Sequence, residues 1–407
     1  MAAQPAKTGA TAGRPIPKAP PKAPRAVFWN DPRVRGVFYQ IIAVGLIGSA
    51  VWWLASNTIA NLNARNIATG FHFLGREAGF EIGENLIDYS PSDTYFKALV
   101  VGMLNTLRIA VLGIILATII GTIIGIARLS KNWLVAKLAS IYVEVVRNIP
   151  LILQLFFWYS LITEFLPGPR DALHPMPGVF LSNRGLKFPL PAHEVAYDLA
   201  MVLFAVGLIA AVALGHWAKK RQDATGQNFP TLWVNLGLIF ALPIAGWLLA
   251  GAPLTFNAPV MQGFNFVGGA SLSPEFSALL LGLVIYTAGF IAEIVRSGIQ
   301  AVGKGQTEAA LSLGLSKGQT LRLIVMPQAL RVIVPPMTSQ YLNITKNSSL
   351  AVAIGFPDIV SVANTTLNQT GQAIEGIAII MAVFLTISLS IATFMNWYNK
   401  HIALVER

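Results

Sequence analysis

The sequence predicts an all-α polytopic membrane protein of about eight transmembrane helices. Three observations carry that expectation. The 407 residues are 54% hydrophobic and only 12% charged, with a mean hydropathy of +0.61; a soluble domain carries about 25% charge. Eight apolar runs approach the roughly 20 residues that a helix needs to cross a bilayer. The charges sort by side: if the N-terminus is inside, 21 of the 29 Lys and Arg fall in inner segments, and 12 of the 18 Asp and Glu fall in outer ones. The positive-inside bias therefore puts both termini in the cytoplasm. The net charge of +11 is a matter of topology; a nucleic-acid footprint would gather its basic residues into one patch, and here five segments share them.

Taken in order, residues 1–35 are rich in Pro, Ala and Lys and lack the apolar core of a cleavable signal. They read as a disordered basic cytoplasmic tail, with the first run, Val37 to Ala55, as a retained anchor. Residues 36–96 hold this first helix and an acidic outer loop, Asn57 to Asp93, containing Glu77, Glu81, Glu84, Asp88 and Asp93. The second to fourth runs are Ile109 to Ala127, Ile141 to Ile162 (which takes in Glu144 and Arg147) and Leu199 to Ala218. The last four are Leu232 to Ala250, Phe276 to Ile294, Val332 to Leu350 and Gly376 to Asn399. The outer stretches Glu164 to Asp198 and Gly251 to Glu275 read as solvated connectors, and residues 400–407 as a cytoplasmic C-terminus.

In the second run, Gly113, Ala117, Gly121 and Gly125 recur every fourth position. That spacing lines one helical face with small residues, so that a neighbouring backbone can approach closely. Glu144 with Arg147, and Glu293 with Arg296, repeat an i, i+3 pairing that neutralises charge near the membrane surface. The seventh run holds only 14 uncharged residues between Arg331 and Lys346, and Pro335 and Pro336 within it are expected to kink it. Two readings fit Lys346 and the adjoining Asn347 and Ser348. The ammonium either snorkels to the outer surface, or faces a polar translocation path where it attracts an anionic group.

Several chemistries are excluded. With no cysteine, neither disulfides nor thiolate metal sites are available. No GxxxxGK[ST] phosphate loop occurs; "GLSKGQT" has its Gly and Lys in the wrong order. His193-Glu194 opens "HEVAY", which lacks the second His of HExxH. No catalytic or metal-binding residues are assigned.

The segment "EAALSLGLSKGQTLRLIVMP", Glu308 to Pro327, interrupts the apolar runs. Thr307 is a candidate N-cap and Glu308 suits a first turn. Gly314 supplies the left-handed residue beyond a helix end. Ser316 with Gln319 forms a capping-box pattern for a second helix that Pro327 closes. The expected product is a stiff cytoplasmic elbow.

This elbow resembles the EAA loop of ABC-type importer permeases: Glu308-Ala309-Ala310, then Gly314, Ile324 and Pro327 at the family's spacing. Met326 stands where Leu is usual. "GMLNTLRIAVLG", "VEVVRNIPLILQLFFWY", "YTAGFIAEIVRSGIQAV" and "ITKNSSLAVAIGFPD" are similar to the polar amino-acid branch of that family, and the layout is most similar to permeases of general L-amino-acid uptake systems. The resemblance implies a type I ABC importer permease fold over residues 97–399, with helices inserted at about 197–250 and the coupling loop at 303–327. It implies that Gln306, Thr307, Glu308, Ala309, Ala310, Gly314, Ile324 and Pro327 dock a separate ATPase subunit. ATP and Mg would be used by that subunit, with no cofactor bound by this chain. The other implied partners are a second, related permease and a periplasmic amino-acid-binding protein, in a bacterial inner membrane. The rival reading is an ion-coupled secondary amino-acid transporter, which needs unwound helices around a midplane ion site and leaves the elbow without a purpose. A membrane-embedded hydrolase and a passive channel fit still less.

Overall fold

The computed structural model describes residues 32–64, 69–192 and 194–402. Residues 1–31 of the expected tail, residues 65–68, His193 and residues 403–407 lie outside them; residues 32–35, expected within the disordered tail, are helical. Among the described residues, six helices are long and apolar enough to cross a membrane, and two bent helix pairs raise the number to eight if each counts as one span. The all-α polytopic class and the number of spans match expectation.

The chain divides into two units, residues 1–69 and 70–407. In the first, α1 (Pro32–Ala64) is a single helix of 33 residues, about 50 Å at 1.5 Å per residue. It runs well past Ala55, so the outer loop starts later than Asn57.

The second unit opens with a folded outer loop. Phe73, Ala78 and Ile82 are buried under it, and an isolated bridge joins Glu77 to Thr94. Thr94 then caps α2 (Tyr95–Ala127) by accepting from the Lys97 N–H. Next come α3 (Trp133–Asn148) and α4 (Leu151–Ser160), which a π-type turn extends to Phe165. The predicted third span is therefore not one straight helix: these two are bent by 102°. Pro150 has no N–H and disfavours a helical residue before it; Ile149 is accordingly extended, at φ −95° and ψ 124°.

Strands β1 (Leu173–Met176), β2 (Val179–Ser182), β3 (Gly185–Phe188) and β4 (Leu190–Pro191) precede a membrane hairpin. Its outgoing arm is α5 (Val195–Thr225). Its return is α6 (Thr231–Leu236), a π-type turn at Gly237–Ala241 and α7 (Leu242–Leu249). Strands β5 (Phe256–Asn257), β6 (Val260–Gln262), β7 (Asn265–Val267) and β8 (Ala270–Leu272) follow. The two outer connections are thus folded, not the solvated connectors expected. Strands β1, β2, β3 and β8 form one antiparallel sheet in that order, with β4 pairing β5 and β6 pairing β7. Phe188 sits opposite Ala270, so the hairpin leaves and returns at neighbouring strands.

The remaining elements are α8 (Pro274–Gln300), α9 (Lys304–Ser312), α10 (Lys317–Thr320), α11 (Met326–Asn347), α12 (Ile359–Thr370) and α13 (Ala373–Ile402). Pro335 and Pro336 lie inside α11, which continues past them as one helix. A bend of 53° separates the Lys317–Ile354 stretch from α12. Helix α12 was not anticipated. Its sequence is polar, yet Ile359, Val362, Ala363 and Thr366 fall on one buried face.

Helices α2 and α8 are the centre of this unit and run parallel. Arg108 lies over Phe276 at one end, and Arg128 pairs with Glu293 near the other. A Cβ at Gly121 would stand 2.6 Å from Ile291 Cβ and 2.9 Å from the Ala288 carbonyl; one at Gly125 would stand 2.7 Å from the Ala292 carbonyl. Only glycine permits so close an approach. Gly113 faces Ile344 of α11, and Ala117 is fully buried.

Candidate functional site

The cytoplasmic ends of α8 and α11 are joined by the elbow. Gly303 precedes α9, which starts at Lys304 with no side-chain cap. Thr307 therefore lies inside the helix and is not its N-cap, and Glu308 falls in the second turn. The correction follows from Lys304 to Gln306 already being helical.

The end of α9 is a Schellman motif. Gly314 adopts φ +81°. Its N–H donates to the Leu311 carbonyl at 3.0 Å, and the Leu315 N–H donates to the Ala310 carbonyl at 3.2 Å. Two residues on, Ser316 and Gln319 form the capping box: the Gln319 N–H donates to Ser316 Oγ at 3.3 Å, and the Ser316 N–H donates to Gln319 Oε1 at 2.9 Å. Helix α10 then runs through a π-type turn at Leu321–Val325 into α11. Pro327 sits in the first turn of α11 and does not close the second helix. Because α10 leads into α11 without a break, Pro327 stands inside a continuous helical path, and the π-type turn just before it is where a proline's missing donor is accommodated.

The elbow is folded against the base of α11. Ala310, Thr320 and Val325 are buried, Ile324 is half-buried, and Gln328 Nε2 donates to the Ile324 carbonyl at 3.0 Å and to Gln306 Oε1 at 3.5 Å. Gln306, Glu308 and Ala309 remain exposed, with Thr307 partly so. Leu313 is 82% exposed, and Leu311, Leu321 and Leu323 are also open. These four leucines give the projection an open apolar face.

In the last third of α8, Glu293 holds two guanidinium groups. Arg296 of the same helix pairs with it at 2.5 Å, and Arg128 reaches it from the end of α2. The sequence shows the Glu293–Arg296 pair through its spacing but gives no sign of Arg128. The matching expectation for Glu144 and Arg147 fails: among the described residues they form no ion pair, and Arg147 lies 4.9 Å from the Phe290 ring centroid.

At the outer end, Glu84 ties the folded loop to the bundle. It accepts from the Ser273 N–H at 3.0 Å and from Arg108 at 3.3 Å. Asn105, fully buried, donates to the carbonyls of Glu84 and Pro357 at 2.8 and 2.9 Å. The Thr106 hydroxyl accepts from the Ile359 N–H at 3.0 Å, and Asp358 caps α12 through the Ser361 N–H at 2.8 Å. Beside this knot lies a cavity of about 390 Å³ lined by Glu81, Glu84, Ser273, Glu275, Ser361 and Thr365. A second cavity, about 350 Å³ and largely apolar, lies among α2, α8, α11 and α13, with Thr118, Tyr341 and Tyr398 in its wall. Lys346, Asn347 and Ser348 line neither. Lys346 is exposed, and buried Ser348 donates to the Thr345 carbonyl at 2.7 Å. Asn105, Arg108 and Glu84 escaped the sequence reading because they join segments far apart in the chain.

Packed parallel spans, two bent helix pairs and a capped, projecting elbow together define a polytopic membrane protein. Residues 203–403 match the family model described as the binding-protein-dependent transport system inner membrane component, and the chain belongs to the amino-acid permeases of that family. It is 52% identical, over 93% of its length and 94% of the relative's, to the general L-amino acid transport system permease protein AapQ of Rhizobium johnstonii. Over 94% of its length and 98% of the relative's, it is 52% identical to the putative amino-acid ABC transporter permease protein YhdX of Escherichia coli K12. Identity is 42%, over 95% and 99%, to the glutamate/glutamine/aspartate/asparagine transport system permease protein BztB of Rhodobacter capsulatus. The chain is thus a multi-pass inner-membrane permease of an ATP-driven, binding-protein-dependent importer.

Proposed function

We propose that this permease carries L-amino acids, pairs with a second related permease, and is driven by separate ATPase subunits that seat on the elbow. The elbow carries the reading. A stop at Gly314 and a reciprocal cap at Ser316 and Gln319 fix the angle between α9 and the base of α11, and a fixed angle transmits displacement where a slack loop would absorb it. Closure of the ATPase subunits draws the elbows together and turns the bundle outward; an extracytoplasmic binding protein then delivers cargo, and hydrolysis restores the inward state. Gln306, Thr307, Glu308, Ala309 and Ala310 form the docking helix in this scheme, Gly314 its stop, and Ile324 and Pro327 its joint with α11. The amino-acid class is supported by the names of the three relatives.

The test is uptake of labelled L-amino acids by cells expressing the chain with its neighbouring transport genes. Uptake should stop on ATP depletion and persist with an ionophore. Collapse with the ionophore but survival without ATP would instead establish ion coupling.

A further inference from the structure

We propose that the cytoplasmic tip of the α5–α7 hairpin is a binding site for an anionic phospholipid of the inner leaflet. The hairpin begins and ends at the outer sheet, so its tip, Trp217 to Trp233, lies on the opposite side of the membrane. Helix α5 has 31 residues, about 46 Å, against a hydrocarbon core of about 30 Å. Its uncharged stretch ends at Ala218. Lys219, Lys220 and Arg221 therefore occupy the next turn, at headgroup depth, beside the interfacial aromatics Trp217, Phe229 and Trp233.

The tip is built, not merely basic. Trp217 and Phe229 meet edge-on with centroids 5.4 Å apart. The Arg221 guanidinium lies 5.5 Å from the Trp217 centroid and 6.0 Å from that of Phe229, and donates to Gln227 Oε1 at 3.1 Å. The Thr225 hydroxyl donates to the Arg221 carbonyl at 2.8 Å, closing the last turn of the helix. Asp223 is the one carboxylate between Trp217 and Trp233, and among the described residues none of the three cations has an ion-pair partner. Two ammonium groups and a planar guanidinium held on an aromatic shelf are thus left unneutralised where lipid phosphates lie. The guanidinium fork suits phosphate oxygens, and a polybasic stretch against the inner leaflet is drawn to anionic lipid. The hairpin packs chiefly on itself, so this lipid contact would fix its depth in the membrane.

The experiment is native mass spectrometry of the full-length protein titrated with dioleoyl-phosphatidylglycerol or dioleoyl-phosphatidylcholine. The wild type should bind the anionic lipid more tightly. Each basic residue near an anionic surface is worth about fivefold in affinity, so Lys219→Gln/Lys220→Gln/Arg221→Gln should weaken phosphatidylglycerol roughly a hundredfold and leave phosphatidylcholine unchanged. Arg221→Gln alone, the milder change, should weaken it about fivefold. Lys131→Gln/Lys137→Gln, which neutralises another inner segment, should leave the affinity intact. The proposal is overturned by equal affinity for the two lipids, by retained phosphatidylglycerol binding in the tip variants, or by an equal loss in the Lys131/Lys137 variant. Displacement of the lipid by inorganic phosphate would overturn it too, since the site would then be one for free anions.

Discussion

Substituting Gly314 isolates the backbone contribution to the elbow. The residue sits at φ +81°, and a Cβ built there meets nothing within 4 Å. A side chain thus adds no clash, and the whole penalty is that of a left-handed conformation, about 1–2 kcal/mol for an ordinary L-residue. At 1.4 kcal/mol per factor of ten, the native turn becomes about 5- to 30-fold less favoured against its alternatives. Asparagine tolerates this region best and a β-branched residue worst, so the loss should rise from Gly314→Asn through Gly314→Ala to Gly314→Val. The assay is ATP-dependent amino-acid uptake at matched membrane abundance, with hydrogen exchange over residues 304–320 as the local readout. Uptake and protection should fall together in that order, without change in the unfolding of the bundle. Full uptake by Gly314→Val would refute the stiff-elbow reasoning, as would equal losses in all three variants.

Three other outcomes follow from the geometry. Gly121→Ala places a methyl against Ile291 and the Ala288 carbonyl; overpacking of this kind costs about 1–3 kcal/mol, and the melting temperature in detergent should drop, whereas the same change at open Gly318 should not lower it. The Asp93 carboxyl is held below its ordinary range first by its hydrogen bond from Lys97 and then by the Ser90 N–H. Its contribution to the outer loop is therefore present above the ordinary carboxylate range and fades as pH falls through the depressed value; the hydrogen-exchange protection factors of residues 88–97, taken against the intrinsic rate at each pH, should fall on acidification in the wild type and change little in Asp93→Asn. Lys346→Met separates the two roles open to Lys346, since a path role requires uptake to fall at unchanged abundance and a snorkelling lysine leaves it normal.

What the sequence disclosed was local or compositional. Ser316 and Gln319 are three residues apart, and Gly314 announces its own φ, so the second half of the elbow was legible. The start of α9 was not, because a threonine inside a helix looks like a cap until the preceding residues are known to be helical. Apolar length located the spans, but it sums over a stretch and passes across the turn at Ile149 and Pro150. Helix α12 escaped because its burial rests on four residues in a largely polar dozen. The knot of Glu84, Asn105, Arg108 and Ser273 was unreadable for another reason: its members are up to 189 residues apart, and nothing periodic links them. Arg128 beneath Glu293 is the same case at the inner end.

The pairing of β3 with β8 bears on how such a chain acquires or sheds parts. Phe188 and Ala270 stand opposite each other in antiparallel register, the geometry that a two-residue turn joins in an ordinary β-hairpin. Everything between them, including both arms of the membrane hairpin, could be excised and the gap sealed by such a turn with β8 left leading into α8. The joint thus lets the membrane hairpin leave and rejoin the bundle at facing residues, so that its length does not enter the path from β3 through β8 into α8.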